Sequence, residues 1–139
     1  MTTSLGSMVR LDVPFEEAVA RTREALESEG FGVLTEIDIQ AAFREKLGRE
    51  FRRYVILGAC NPQLAHRALT AEPEVGLLLP CNVTVEADPS GATVVRLVEP
   101  LSMLGVGGLS ASPEVGSVAA EAHQRLERVA AALASANSA

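Results

Sequence analysis

Apolar residues return along this chain with two different periods. From Phe15, the positions Ala18, Val19, Thr22, Ala25 and Leu26 recur every three or four residues, with Glu16, Glu17, Arg21, Arg23 and Glu24 between them. That is the stripe of an amphipathic helix. Pro14 opens it, where a missing N–H costs nothing, and Gly30 stops it. A longer stripe near the end joins Val115, Val118, Ala119, Ala122, Leu126, Val129, Ala130 and Leu133, after Ser112 and Pro113 as cap and first-turn proline. Two shorter helices are predicted between them. One sets Phe43 and Leu47 four apart and closes at Gly48. The other opens at Asn61–Pro62, buries Leu64, Ala65, Ala68 and Leu69, and ends at Pro73.

The period of two marks the strands. Residues 8–13 read as a short strand. Val33, Thr35, Ile37 and Ile39 alternate with Leu34, Glu36 and Asp38, as a strand with one dry face would. Residues 53–59 read as a buried strand. Two β-branched runs, 75–86 and 92–98, flank the turn signal Asp88-Pro-Ser-Gly91 and are expected to form a hairpin. The glycine-rich stretch 101–111 reads as a flexible connection, or as a flap over a pocket. The order β-α-β-(short α)-β-α-β-β-α predicts an α+β fold: a two-layer sandwich of a mainly antiparallel sheet with helices on one face. Residues 1–7 are expected to be a flexible N-terminus, 8–134 a single domain and 135–139 a flexible tail.

Composition sharpens this picture. Of the 139 residues 47% are hydrophobic, yet there are one Tyr, four Phe and no Trp, so Val, Leu, Ile and Ala must build the core. The net charge of −6 disfavours nucleic acid and anionic membrane, which need clustered Lys and Arg. No apolar run reaches the roughly 18 residues of a membrane span. The first eight residues lack a signal-peptide pattern, and a cytoplasmic location is expected. The two cysteines show no CxxC or CxxH spacing and are expected as free thiols in a reducing compartment.

Candidate chemistry gathers at two Cys-Asn dipeptides, Cys60-Asn61 and Cys81-Asn82. Cys60 precedes a helix N-terminus, where the macrodipole favours a thiolate; Cys81 follows Pro80 in an apolar run. If their strands are neighbours, the thiols approach each other, and a redox relay, a persulfide carrier or a soft-metal ligand would result. The plainer alternative is two buried packing residues, with Asn61 a helix cap. His66 falls on the polar side of its helix as a solvated residue. His123 flanks the last apolar stripe as a packing residue with no obvious orienting carboxylate. Neither a catalytic pair nor a four-ligand metal site is expected, so catalytic and metal residues are none. Gly105-Val-Gly107-Gly108-Leu-Ser110 carries serine where a dinucleotide-binding GxGxxG has its last glycine, and no cofactor is expected. A candidate anion patch lies at 44–53, where Arg44, Lys46, Arg49, Arg52 and Arg53 outweigh Glu45 and Glu50 to give +3 on an acidic chain. An ordinary solvated helix face would read the same way.

Three segments in order carry a family resemblance: PFEEAVARTREALESEGFGVLTEIDIQAAFREKLG at 14–48, YVILGACNPQLAHRAL at 54–69 and GLLLPCNVTVEAD at 76–88, followed by VVRLVEP. With them the chain resembles the bacterial "domain of unknown function 302" family. The resemblance implies an antiparallel sheet with helices on one side in a layout like that of the TATA-binding protein. It also implies a homodimer, and no activity, substrate or cofactor. The function expected is a small non-enzymatic dimeric module that binds a small ligand or a protein partner, with no nucleic acid and no membrane. The alternative is a thiol-dependent redox or sulfur-handling protein using Cys60 and Cys81.

Overall fold

The computed structural model describes residues 2–137. Its strands are β1 (Gly6–Leu11), β2 (Gly32–Asp38), β3 (Tyr54–Cys60), β4 (Cys81–Ala87) and β5 (Thr93–Val98). They form one antiparallel sheet in the order β1-β5-β4-β3-β2. The helices are α1 (Phe15–Ser28), α2 (Ile39–Leu47), α3 (Pro62–Ala71), α4 (Pro100–Met103) and α5 (Pro113–Asn137), with 3₁₀ turns at Pro73–Leu77 and Val106–Ala111.

Alternation puts Leu11, Leu57, Val83, Val85, Val95 and Leu97 on one sheet face, all essentially without solvent contact. Ala18 and Leu26 of α1 and Leu126, Val129 and Leu133 of α5 cover that face. Thr22 sits in this core because its hydroxyl donates to the Ala18 carbonyl at 2.7 Å, which satisfies the polar group locally. A second apolar cluster joins Leu64 and Ala68 of α3 to Val115, Val118, Ala119 and Ala122 of α5, with Val75 and Leu104 closing its ends. Helix α5 therefore spans two cores. The stripe read from the sequence, Val115 to Leu133, serves the sheet with its C-terminal half and α3 with its N-terminal half.

Helix ends follow the expected chemistry. The Phe31 N–H reaches the Leu26 carbonyl and the Gly30 N–H reaches that of Glu27, both at 3.0 Å, with Gly30 at φ 82°. This is a Schellman ending, for which the left-handed glycine is suited. The β4–β5 turn closes through Gly91 N–H to Asp88 at 2.9 Å, as the turn signal predicts.

Several expectations need correction. β1 begins at Gly6, inside the segment expected to be flexible, and Leu5 accepts a bond from the Glu99 N–H at 2.8 Å. Helix α5 runs through Asn137, into the expected tail, whose last two residues lie outside the described ones. β2 has no dry face: Ile37 is 48% exposed, Thr35 is exposed, and the register slips between Val33 and Thr35. As an edge strand it has a sheet neighbour on one side only. The run 75–86 is not one strand. A 3₁₀ turn occupies its start and β4 begins at Cys81, because Pro73 and Pro80 bracket a stretch that cannot donate a full ladder. Leu69 faces partly outward at 38% exposure. Finally, 101–111 folds as helical turns pinned by buried Leu104 rather than as a loose connection.

Candidate functional site

The adjacent strands β3 and β4 bring Cys60, Asn61 and Cys81 to one end of the sheet. In the β3–β4 register Ala59 stands opposite Cys81, so Cys60 lies one residue beyond that pair on the neighbouring strand. Cys60 is half-buried and Cys81 is buried; both are free. They border a half-open cavity of about 30 Å³ lined largely by apolar side chains, among them Leu64 of α3, Leu104 just after α4 and Val118 of α5. That is room for a molecule of about the size of water. Asn61 is the only amide in the wall, and its carbonyl oxygen already accepts the Leu64 N–H at 3.2 Å as the N-cap of α3. Asn82 is not part of this group. It stands exposed opposite Gly58.

The electrostatics run against the expected thiolate. Burial pushes the Cys81 thiol up to about 11, and the neighbouring Cys60 adds to the rise. Burial also raises the Cys60 thiol above its ordinary value. Both groups are protonated at neutral pH, whereas a redox or sulfur-transfer nucleophile needs the thiolate. Nothing in this geometry favours the thiol-dependent alternative.

The basic segment is spread over several partners. Arg53 pairs with Glu16 at 2.5 Å and lies over the Phe15 ring at 4.3 Å. Arg52 reaches Glu86 at 3.4 Å and stacks on Phe51, and Arg44 lies 3.9 Å from Glu50. Lys46 and Arg49 are exposed, without an ion-pair partner among the described residues. The five cations thus do not converge on one anion position.

One constellation escaped the sequence reading. His123 on α5 holds its Nδ1 2.8 and 2.9 Å from the two oxygens of Glu99, at the β5–α4 junction. Glu99 also caps α4 by accepting the Leu101 N–H at 3.0 Å. Glu127, one turn on, lies 3.6 Å from Nε2. An orienting carboxylate for His123 therefore exists, contrary to expectation. The signal for it was only a glutamate before a proline, 24 residues away. His66 is exposed, as its place on the polar side of α3 predicts. Among the described residues, no group of three or more His, Cys, Asp or Glu is arranged to hold a metal ion. No helix is long and apolar enough to cross a membrane, again among the described residues.

Fold and site together define a small α+β domain: a five-stranded antiparallel sheet carrying helices, with one buried and one half-buried thiol beside a small apolar cavity. Residues 8–133 match the family described as "Domain of unknown function DUF302", and the chain belongs to that family. It is similar to the crystal structure of an uncharacterised conserved DUF302 protein from Bacillus stearothermophilus. That likeness has 30% sequence identity and a TM-score of 0.82, and covers 94% of this chain and 99% of the other. No curated protein matches the chain. The family is one of unknown function.

Proposed function

We propose that this chain is a small, non-enzymatic, homodimeric module of the bacterial cytoplasm that binds a small ligand or a protein partner. The observation that carries the reading is the outer edge of β2. This strand pairs with β3 on one side only, and Leu34 and Ile37 are 69% and 48% exposed along it. Charged residues usually guard such an edge, but both acids of β2 are engaged within the chain. Glu36 pairs with Arg23 at 2.6 Å, and Asp38 accepts the Ala41 N–H as the cap of α2. An antiparallel strand edge pairs with its own copy across a two-fold axis using main-chain groups alone.

The non-enzymatic part rests on two thiols held neutral, which leaves no thiolate nucleophile at neutral pH. The cytoplasm is the compartment in which neighbouring free thiols stay reduced. Light scattering on the eluting protein tests the dimer. The wild type should elute as a dimer, and Leu34→Lys/Ile37→Lys as a monomer with unchanged circular dichroism. A wild type that is monomeric at micromolar concentration would overturn the reading.

A further inference from the structure

A polar cavity of about 50 Å³ lies between α5 and the β1 edge of the sheet, with Thr2, Ser7, Glu99, His123, Leu126 and Glu127 in its wall. Ser7 stands opposite Leu97, on the sheet face that α5 covers. His123 and Glu127 meet it from α5, where they lie one turn apart. The hydrogen-bonding inventory of this wall narrows what it can hold. Nδ1 of His123 faces two carboxylate oxygens, which only accept, so Nδ1 carries a hydrogen and a neutral ring presents the lone pair of Nε2. Glu127 Oε2, a second acceptor, lies 3.6 Å from that lone pair, and neither group can donate to the other. No Lys or Arg is in the wall, so an anion finds no cation. Zinc takes three or four protein donors, and among the described residues none gather in that number. No Phe, Tyr or Trp is there to face a quaternary ammonium. Two facing acceptors, neighbouring hydroxyls and negative charge match a cation that carries several N–H donors.

We propose that this cavity binds the primary ammonium group of an alkylamine. His123 Nε2 and the Glu127 carboxylate accept two of its three N–H bonds, and a hydroxyl of Thr2 or Ser7 accepts the third. The aliphatic stem leaves along a groove that opens from the same wall: Thr2, Ser7 and Glu127 border both spaces, and Ala130 and Ala131 give the groove its apolar side. Glu99 is a positioning residue. Its oxygens are held by His123 Nδ1 and the Leu101 N–H, and through the first of these it sets which ring nitrogen is free for the amine. The head group is the same on a free alkylamine and on the lysine side chain of a partner protein.

This deepens the ligand half of the proposed function and rests on it, yet the two fail separately. The cavity lies at the β1 edge and the dimer contact at β2, the opposite edge of the sheet, and the dimer is measured without amine. The test is an NMR titration of the full chain at about pH 8.5, where alkylamines are still cations. The probes are n-butylammonium, Nα-acetyl-lysine amide and tetramethylammonium. The two primary amines should shift the His123 ring signals saturably and leave those of exposed His66 in place. Tetramethylammonium has the charge without the N–H donors and should bind about 10-fold more weakly or not at all. Glu127→Gln changes a side chain that is 68% exposed, so it should keep the fold and weaken n-butylammonium about 5-fold. Tighter binding of the lysine amide would assign the site to a partner's lysine, and tighter binding of n-butylammonium to a free amine. No saturable shift with either amine, equal binding of tetramethylammonium, or a Glu127→Gln protein with wild-type affinity would each overturn the proposal.

Discussion

Glu99 holds His123 with both carboxylate oxygens, 2.8 and 2.9 Å from Nδ1, and with one of them also caps α4 through the Leu101 N–H. One side chain thereby joins the end of β5, the start of α4 and the middle of α5. The carboxylate is 15% exposed and the imidazole 29%, so water competes little for either.

Removing that carboxylate should cost more than a surface ion pair. Glu99→Ala loses a cap and a side-chain hydrogen bond, each worth about 1 kcal/mol. His123→Ala loses only the second. The double variant should therefore fall short of the sum of the singles by at least about 0.5 kcal/mol. Urea unfolding of all four proteins measures this, and strictly additive losses would show that the two residues do not act as a unit.

Alkaline pH should destabilise the fold through Cys81. Its thiol titrates near 11 in the folded chain against an ordinary value of 9.0. A raised folded value means the stabilisation is complete below the unfolded value and is lost as pH climbs through the folded one. Stability should fall between about pH 9 and 11, by at most about 2–3 kcal/mol. Besides Cys60, whose thiol is also raised, the chain has one Tyr and one Lys, so few other groups titrate in that window. Cys81→Ala should flatten the curve between those limits, and an unchanged slope in that variant would refute the assignment.

Gly58 is fixed by closeness rather than by φ. A methyl group there would sit 2.9 Å from the Pro80 ring and nearer still to the Thr35 hydroxyl. Gly58→Ala should cost about 1–3 kcal/mol by overpacking, with Thr35→Ala in the same chain restoring part of the loss. Thermal unfolding of single and double variants compares them; no relief from Thr35→Ala would place the clash elsewhere.

Asn61 has one dominant duty. Asn61→Ala should lose about 1 kcal/mol with the α3 cap, and Asn61→Ser should recover most of it. Its amide nitrogen lies 3.5 Å from the Glu29 carbonyl, too long to add much. If Ser proves as costly as Ala, the cap is not what Asn61 supplies.

Much of this fold was legible because local rules and tertiary packing agree. The stripes of α1 and α5, the Asn61–Pro62 start and the Asp88–Gly91 turn are short-range signals, and each lies where they put it. The failures share a cause as well. Whether β2 has a dry face depends on its place at the sheet edge, and whether residues 75–79 extend depends on two flanking prolines acting together. The nearness of Cys60 and Cys81 could be stated only as a condition on strand pairing, which the register now meets. The Cys60 ionisation was misjudged because a helix start is visible in sequence and desolvation is not. Glu99 and His123 meet only through the packing of α5 across the strand ends.

The strand order has a consequence for how the chain acquires its shape. β2, β3, β4 and β5 are neighbours in space as they are in sequence, and their connections (39–53, 61–80 and 88–92) are all far shorter than the one that separates β1 from β5. β1 is different: Leu11 faces Thr93, so the first strand made waits for the last. Its loop spans most of the domain, and the chain entropy of closing it must be spent before any of its contacts form. The four-strand meander is thus the natural nucleus, and β1 a late arrival that locks the finished sheet. Refolding kinetics would carry that signature as φ-values near zero at Val9 and Leu11, with higher values at Leu57, Val83 and Val95.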